Sequence, residues 1–305
     1  MDIENPPGHS EAYFGDYRDF WWNADFLALM ARRQGWHAAR TVLDVGCGAG
    51  HWTRAIAPHL APGTRITAVD RDAKWGHPEA AWARALSTTG IEVAVLCAGV
   101  EALPFADASF DLVTCQTLLI HVVEPQRCIA EMLRVLRPGG LLLCAEPDNL
   151  GAFAAKGSLS DAVSVDDMVA DFEFALRYAR GTTALGLGDA SRGGLIPGLL
   201  AAAGLQQVQV YLSDKAMPSI PPYDTPEQRA LHGDLHAIQE SAVEESPAEV
   251  LRRFVAGGGD ANDFNRHWQR GLAGRARYRE ALHNGTLFEA GGTLMYLVSG
   301  RRAAV

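Results

Sequence analysis

From Thr41 onward, short apolar runs alternate with stretches whose apolar residues recur at helical spacing. Val42-Leu43-Asp44-Val45 is the first run; it ends in glycines and is followed by a helix-like stretch over 52–60. Further runs at 65–70, 91–97, 110–116 and 141–146 predict the second to fifth strands. Before the fifth, Cys128, Ile129, Met132, Leu133, Val135 and Leu136 share one helical face. Arg134 and Arg137 lie at the C-terminal end of that helix, and Pro138-Gly139-Gly140 is predicted to stop it. Strands and helices in alternation imply an α/β fold, with a parallel sheet covered by helices on both faces.

The flanking regions have a different rhythm. Trp22, Phe26, Leu29 and Met30 recur at helical spacing, with Gly35 as a stop, so 1–40 reads as an aromatic N-terminal helical lid. After a core of 41–150, a helix over 166–179 marks a first helical insertion, 151–193. A helix over 195–203, closed by Gly204, and an alternating strand through Val208, Val210 and Leu212 return to the core over 194–213. Two predicted capping boxes, Thr225-Pro226-Glu227-Gln228 and Ser246-Pro247-Ala248-Glu249, start helices in a second insertion, 214–291. Phe264, Trp268, Leu272, Tyr278 and Leu282 extend a third helical pattern there to Gly285. The last core strand is expected in 292–305, over the run 293–299. A sheet core with two helical insertions able to close over a site is the expected organisation.

The densest chemistry lies where the first strand meets the first helix, at Asp44-Val45-Gly46-Cys47-Gly48-Ala49-Gly50. Glycines there let the backbone approach a ligand closely, with helix-terminal N–H groups aimed at it. Dinucleotide enzymes space their glycines Gly-x-Gly-x-x-Gly; this loop alternates them and places a carboxylate in front. Asp44 is positioned for a cationic amino group, or else for a turn or helix cap. At the end of the second strand, Asp70 offers two acceptor oxygens of the kind that hold a ribose diol. Loop and Asp70 together indicate an adenosine-containing ligand.

Between Thr41 and Asn149 these features fall into a familiar order. Asp44–Gly50, Val69-Asp70, Glu101-Ala102-Leu103-Pro104-Phe105, Ser109-Phe110-Asp111-Leu112-Val113 and Arg134-Val135-Leu136-Arg137-Pro138-Gly139-Gly140 resemble class I S-adenosylmethionine-dependent methyltransferases, in particular the branch with the ubiquinone/menaquinone-biosynthesis C-methyltransferases. The resemblance implies a Rossmann-like, mostly parallel seven-stranded sheet and S-adenosyl-L-methionine as cofactor. It also implies roles: Gly46, Cys47 and Gly48 line the methionine part, with Gly50 closing the loop; Asp70 holds the ribose and Arg71 borders the adenine. Val100 and Glu101 meet the adenine edge, and Gln116 lies by the sulfonium. Where the family commonly has Asp before the residue matching Val100, this chain has Gly99. Either Glu101 or a backbone carbonyl then takes over, or adenine is held by packing.

Other side chains carry two readings each. His121 lies on the substrate side of the implied pocket, as a general base or as a residue packing the next turn. Glu146 and Asn149 sit at the carboxyl end of the fifth strand, where open α/β sheets bind ligands, and orient substrate or bond the loop. Tyr13 and Tyr17 are candidate lid residues, with Trp22 and Phe26 as packing. His232 and His236 have metal-pair spacing, but no third ligand follows, so no metal is expected.

Composition narrows the partners. The 305 residues are 48% hydrophobic and carry a formal net charge of -9, which disfavours nucleic acid or an anionic membrane as the partner. No run suits a signal peptide or membrane span, and five cysteines without a Cys-x-x-Cys pair read as reduced thiols in the cytoplasm. The expected activity is methylation of a small-molecule substrate, at oxygen or nitrogen, with carbon possible. A nicotinamide-dependent oxidoreductase and a non-methylating cofactor-binding scaffold remain as alternatives.

Overall fold

The computed structural model describes residues 15–75, 77, 80–151, 157–240, 245–292 and 294–304, with the backbone alone at 162 and 234–240. The chain divides into two compact units. One comprises 21–147, 192–214 and 295–305; the other comprises 1–20, 148–191 and 215–294. The first division falls between Phe20 and Trp21, inside the 1–40 stretch that the sequence reads as one lid.

The first unit is built on a seven-stranded sheet. Its strands are β1 (Thr41–Val45), β2 (Arg65–Asp70), β3 (Glu92–Cys97), β4 (Phe110–Gln116), β5 (Leu136–Asp148), β6 (Gln206–Leu212) and, last in the chain, Leu294–Arg301. They lie in the order β3-β2-β1-β4-β5, then Leu294–Arg301, then β6. β1 to β4 pair in parallel through β5, and the final strand pairs antiparallel with β6. This is a Rossmann-like, mostly parallel sheet. Strands buried on both faces should be apolar throughout, and Val42, Leu43, Leu112, Val113, Leu142 and Leu143 are all sealed from solvent. β6 is the outer strand, and its alternation does not mark a buried face: Val210 and Leu212 are 45% and 47% exposed.

Helices α1 (Ala24–Gln34), α2 (His51–Ile56), α3 (Ala81–Ser87), α4 (Pro125–Val135) and, later in the chain, Ile196–Ala202 belong to this unit. Gly35 ends α1 with φ of 74°, donating its N–H to the Ala31 carbonyl, as a left-handed cap should. α4 ends two residues before the predicted Arg137. Leu136 is already extended and pairs with Phe110, and residues 137–140 bulge out before Leu141 pairs with Leu112. Pro138 has no N–H for a ladder and Gly139 takes φ of 75°, so the turn signal bends a strand here instead of stopping a helix.

The second unit contains α5 (Val165–Ala184), a helix at Pro226–Glu240, two more at Pro247–Ala256 and Ala261–His283, and a small antiparallel pairing of Met217–Ser219 with Glu289–Gly291. The Ser246 box forms completely, with Ser246 and Glu249 exchanging both bonds. The Thr225 box forms by half: Thr225 Oγ1 accepts the Gln228 N–H at 3.2 Å, but Gln228 Oε1 accepts from the Ile220 N–H at 2.7 Å. The packing of α5 on Pro247–Ala256 depends on two glycines. A Cβ added at Gly181 would lie 1.6 Å from the Arg253 carbonyl oxygen, and one at Gly257 would lie 1.8 Å from that of Arg177. The backbones therefore touch, and Phe174, Phe254, Phe264 and His267 fill the space beside them, with Phe174 and Phe254 stacked at 5.2 Å. Gly181→Ala is expected to destabilise this unit by roughly 3 kcal/mol, the upper range for overpacking, although alanine favours an isolated helix. A urea denaturation comparison checks this, and an unchanged midpoint would contradict the close contact.

Candidate active site

In the sheet order, β1 and β4 are neighbours whose chains leave toward opposite edges. This is the switch point at which open α/β sheets form a crevice beyond the carboxyl ends of the strands. Every residue placed here comes from the first unit. At the end of β1, Gly46, Gly48 and Gly50 take φ of 75°, 49° and 78°. All three lie in the left-handed region, which explains the alternating glycines. The Gly46 and Cys47 N–H groups donate to the Val69 carbonyl at 2.8 and 3.0 Å, tying the loop to β2. Leu118 covers Gly46, where an added Cβ would come within 2.9 Å of its Cδ1; the Trp82 ring covers Gly50, 2.3 Å from such a Cβ.

Asp70 is 2% exposed at the end of β2. Its Oδ2 accepts from the Gly48 N–H and its Oδ1 from the Asp72 N–H, each at 3.0 Å. The carboxylate thus braces both loops. Asp44 is fully buried and accepts from the Thr53 hydroxyl of α2, fastening strand to helix. Arg71 and Glu101 are exposed, while Val100 is packed into the core. The Glu101 carboxylate occupies the side of position 99: a Cβ at Gly99 would lie 2.7 Å from its Oε2. Cys47, Cys115, Cys128 and Cys144 are buried and Cys97 is exposed, and none is in a disulfide.

At the end of β4, Gln116 is 3% exposed, and its Oε1 accepts from Trp22 Nε1 at 2.9 Å. Trp22 stacks on Phe26 and tilts against Trp52, whose indole donates to Thr114 Oγ1 at 2.8 Å. Thr117 follows with φ of 51°, an uncommon conformation for a β-branched residue. The turn after it is held from both sides. Glu146 accepts the N–H groups of Leu118, Leu119 and Ile120 at 3.0, 2.8 and 3.3 Å. Arg192, also buried, donates to the carbonyls of Leu119 and, at 2.7 Å, Val122. His121 closes this turn and is exposed.

The structure therefore gathers Asp44, the glycines, Cys47, Asp70, Gln116 and the turn carrying His121 at one sheet edge. Glu146 stands behind that edge with its carboxylate spent on the backbone: it is sealed from solvent, and it bonds the loop instead of facing a substrate. Tyr17 and Asn149 belong to the second unit. There burial, with Glu227 and Glu289 nearby, pushes the Tyr17 phenol upward. Tyr13 lies outside the described residues, as does the His236 side chain. Among the described residues, no group of His, Cys, Asp or Glu is arranged to hold a metal ion. Trp22, Trp82, Leu118 and Arg192 are site residues that sequence reasoning missed; each acts through a contact distant in sequence.

Residues 43–144 match the family model described as "Methyltransferase domain". Over this segment the chain carries a methyltransferase domain. An uncharacterized methyltransferase of Mycobacteroides abscessus is 36% identical over 135 residues, covering 44% of this chain and 47% of that one. Demethylmenaquinone methyltransferase of Clavibacter sepedonicus is 31% identical over 155 residues (48% of this chain, 60% of that one). Ubiquinone biosynthesis O-methyltransferase of Coxiella burnetii is 30% identical over 151 residues (43% and 58%). The chain thus spans about half the length of these curated relatives. Among solved structures, it is similar to YcgJ from Bacillus subtilis, with a TM-score of 0.49 and 18% identity over 93% of this chain and all of that one. No helix among the described residues is long and apolar enough to cross a membrane.

Within the methyltransferase domain, burial pushes the Glu146 carboxyl up to about 7, against the opposing pull of the three N–H donors. The folded chain then holds this proton more tightly than the unfolded chain. The stability so contributed is fully present below the ordinary carboxyl value and is lost as pH rises through about 7. Urea unfolding of the wild type and of Glu146→Gln between pH 5 and 8 is expected to show the wild type losing stability relative to the variant as pH rises. A pH-independent difference would contradict this account of the buried carboxyl.

Proposed function

We propose that this chain transfers a methyl group from S-adenosyl-L-methionine to a small-molecule acceptor, at oxygen or nitrogen, with carbon methylation as the nearby variant. The observation that carries the reading is the pairing of a left-handed, alternating glycine loop with the braced carboxylate of Asp70, both inside the matched family segment. The residues fit the cofactor: a left-handed glycine backbone at Gly46, Gly48 and Gly50, the Asp70 carboxylate at the end of β2 for a ribose, and the Glu101 carboxylate beside Gly99 for the adenine edge. Asp44 supports the amino end of the ligand by fixing the loop through Thr53. When bound, the cofactor supplies a methyl carbon activated by a positive sulfur. The protein's part is orientation, which contributes on the order of 7–11 kcal/mol in favourable intramolecular models. His121, on its clamped turn, is the candidate to take the acceptor's proton. The net charge of -9 favours a small molecule over nucleic acid as partner.

The alternating glycines argue against a nicotinamide cofactor, whose fingerprint is spaced differently. Calorimetric titration of the full chain with S-adenosylmethionine and S-adenosylhomocysteine is expected to show binding to both, weakened at least about tenfold in Asp70→Ala by the loss of charge-assisted hydrogen bonds. Circular dichroism verifies that the variant is folded. Binding of neither ligand to the wild type, or a stronger thermal shift with NADH than with S-adenosylhomocysteine, would overturn the reading.

A further inference from the structure

Gln116 holds a detail at the sheet edge that bonding among the described residues leaves unfinished. An indole N–H donates and never accepts. The Gln116 atom 2.9 Å from Trp22 Nε1 must therefore be the carbonyl oxygen, and the amide cannot be turned the other way. Its NH2 group is then directed away from Trp22. That nitrogen is buried, and it has no hydrogen-bond partner among the described residues. A buried donor without an acceptor costs about 1–3 kcal/mol, so a neutral packing role would favour a Leu or Met here. The group instead stands at the carboxyl end of β4, at the switch point, beside the strained Thr117. Trp22 is itself held in place, packed between Phe26 and Trp52.

We infer that Trp22 is a positioning residue that locks the Gln116 amide with its NH2 toward the site, so that Gln116 selects a ligand group presenting an oxygen lone pair and disfavours one presenting an ammonium. This rests on the proposed methyl-transfer reading and deepens it. The oxygen belongs either to the carboxylate or hydroxyls of the cofactor or to the acceptor. An acceptor held this way is a phenol, enol or carboxylate in class, its oxygen taking one N–H from Gln116 and keeping another lone pair free. An alkylammonium, which has only donors, meets donor against donor.

The test uses the full-length chain labelled with nitrogen-15, with the Gln116 side-chain NH2 signals assigned by their loss in Gln116→Leu. S-adenosylhomocysteine alone, then millimolar phenol or benzoate, then benzylamine are added. A shift of the NH2 pair with S-adenosylhomocysteine alone assigns the oxygen to the cofactor, and a shift only with phenol or benzoate assigns it to the acceptor. Benzylamine is expected to leave the pair in place. Gln116→Glu keeps an acceptor for Trp22 but lacks the donor, and it is expected to lose about tenfold in affinity for the effective oxygen probe while remaining folded. Trp22→Phe is expected to collapse the preference for oxygen over amine probes. An unmoved NH2 pair with every oxygen probe, or an equal response to benzylamine, overturns the inference. So does a Trp22→Phe variant with the preference intact. Calorimetry with S-adenosylhomocysteine, run in parallel, reports separately on the methyl-transfer reading, and the phenol and benzoate arms can be read without that ligand.

Discussion

The buried carboxylate of Glu146 is the constraint on which the site depends. Among the described residues it has no ion pair to stabilise it in the ordinary way; it is held by three backbone N–H groups from one turn. Removing those bonds would leave three donors unmet in a place that water does not reach, each costing about 1–3 kcal/mol. The turn is thereby over-determined, since Arg192 takes its carbonyls while Glu146 takes its amides. A turn held at both kinds of backbone group can carry the positive φ of Thr117 just before it. Because Leu118 rests on Gly46, the same clamp sets the position of the glycine loop.

From this follows a division of labour between the strand ends. β1 and β2 present backbone without side chains and a braced carboxylate, which suits a ligand of fixed structure such as the cofactor. β4 presents oriented side chains, Gln116 and, further on, His121, which suits a partner that differs between relatives. The named relatives methylate different acceptors according to their own names, at oxygen in one case. Their likeness to this chain is confined to about half their length. The segment shared with these relatives is the methyltransferase domain, and the proposal is that Gln116, set by Trp22, contributes to the choice of ligand group there.

The parts of this protein legible from its sequence are those in which one residue answers a local backbone demand. The left-handed alternating glycines before a helix, the strand end at Asp70, the cap at Gly35 after α1 and the Ser246 capping box take the local conformations their sequence implies, because their partners lie within a few residues or one strand away. The unread parts answer demands from far along the chain. Glu146 keeps two readings, substrate or loop, until Leu118 to Ile120 fold onto it. Trp22 looks like helix packing until it meets Gln116, 94 residues away. Gly181 and Gly257 look like poor helix residues until two backbones touch. The pairing of Met217–Ser219 with Glu289–Gly291 has too few residues to show an alternation at all. Pro138-Gly139-Gly140 marks a bend without marking its place, since a turn signal cannot say which neighbouring element it bends.

The central claim is that the glycine loop and Asp70 hold an S-adenosyl ligand whose reacting end faces β4. A crystal structure of the full chain with S-adenosylhomocysteine tests it most directly. The account predicts the ribose hydroxyls on the Asp70 carboxylate, the amino-acid portion along Gly46 to Gly48, and the sulfur on the side of Gln116. Density for the ligand anywhere else, or a ribose that does not touch Asp70, would contradict it.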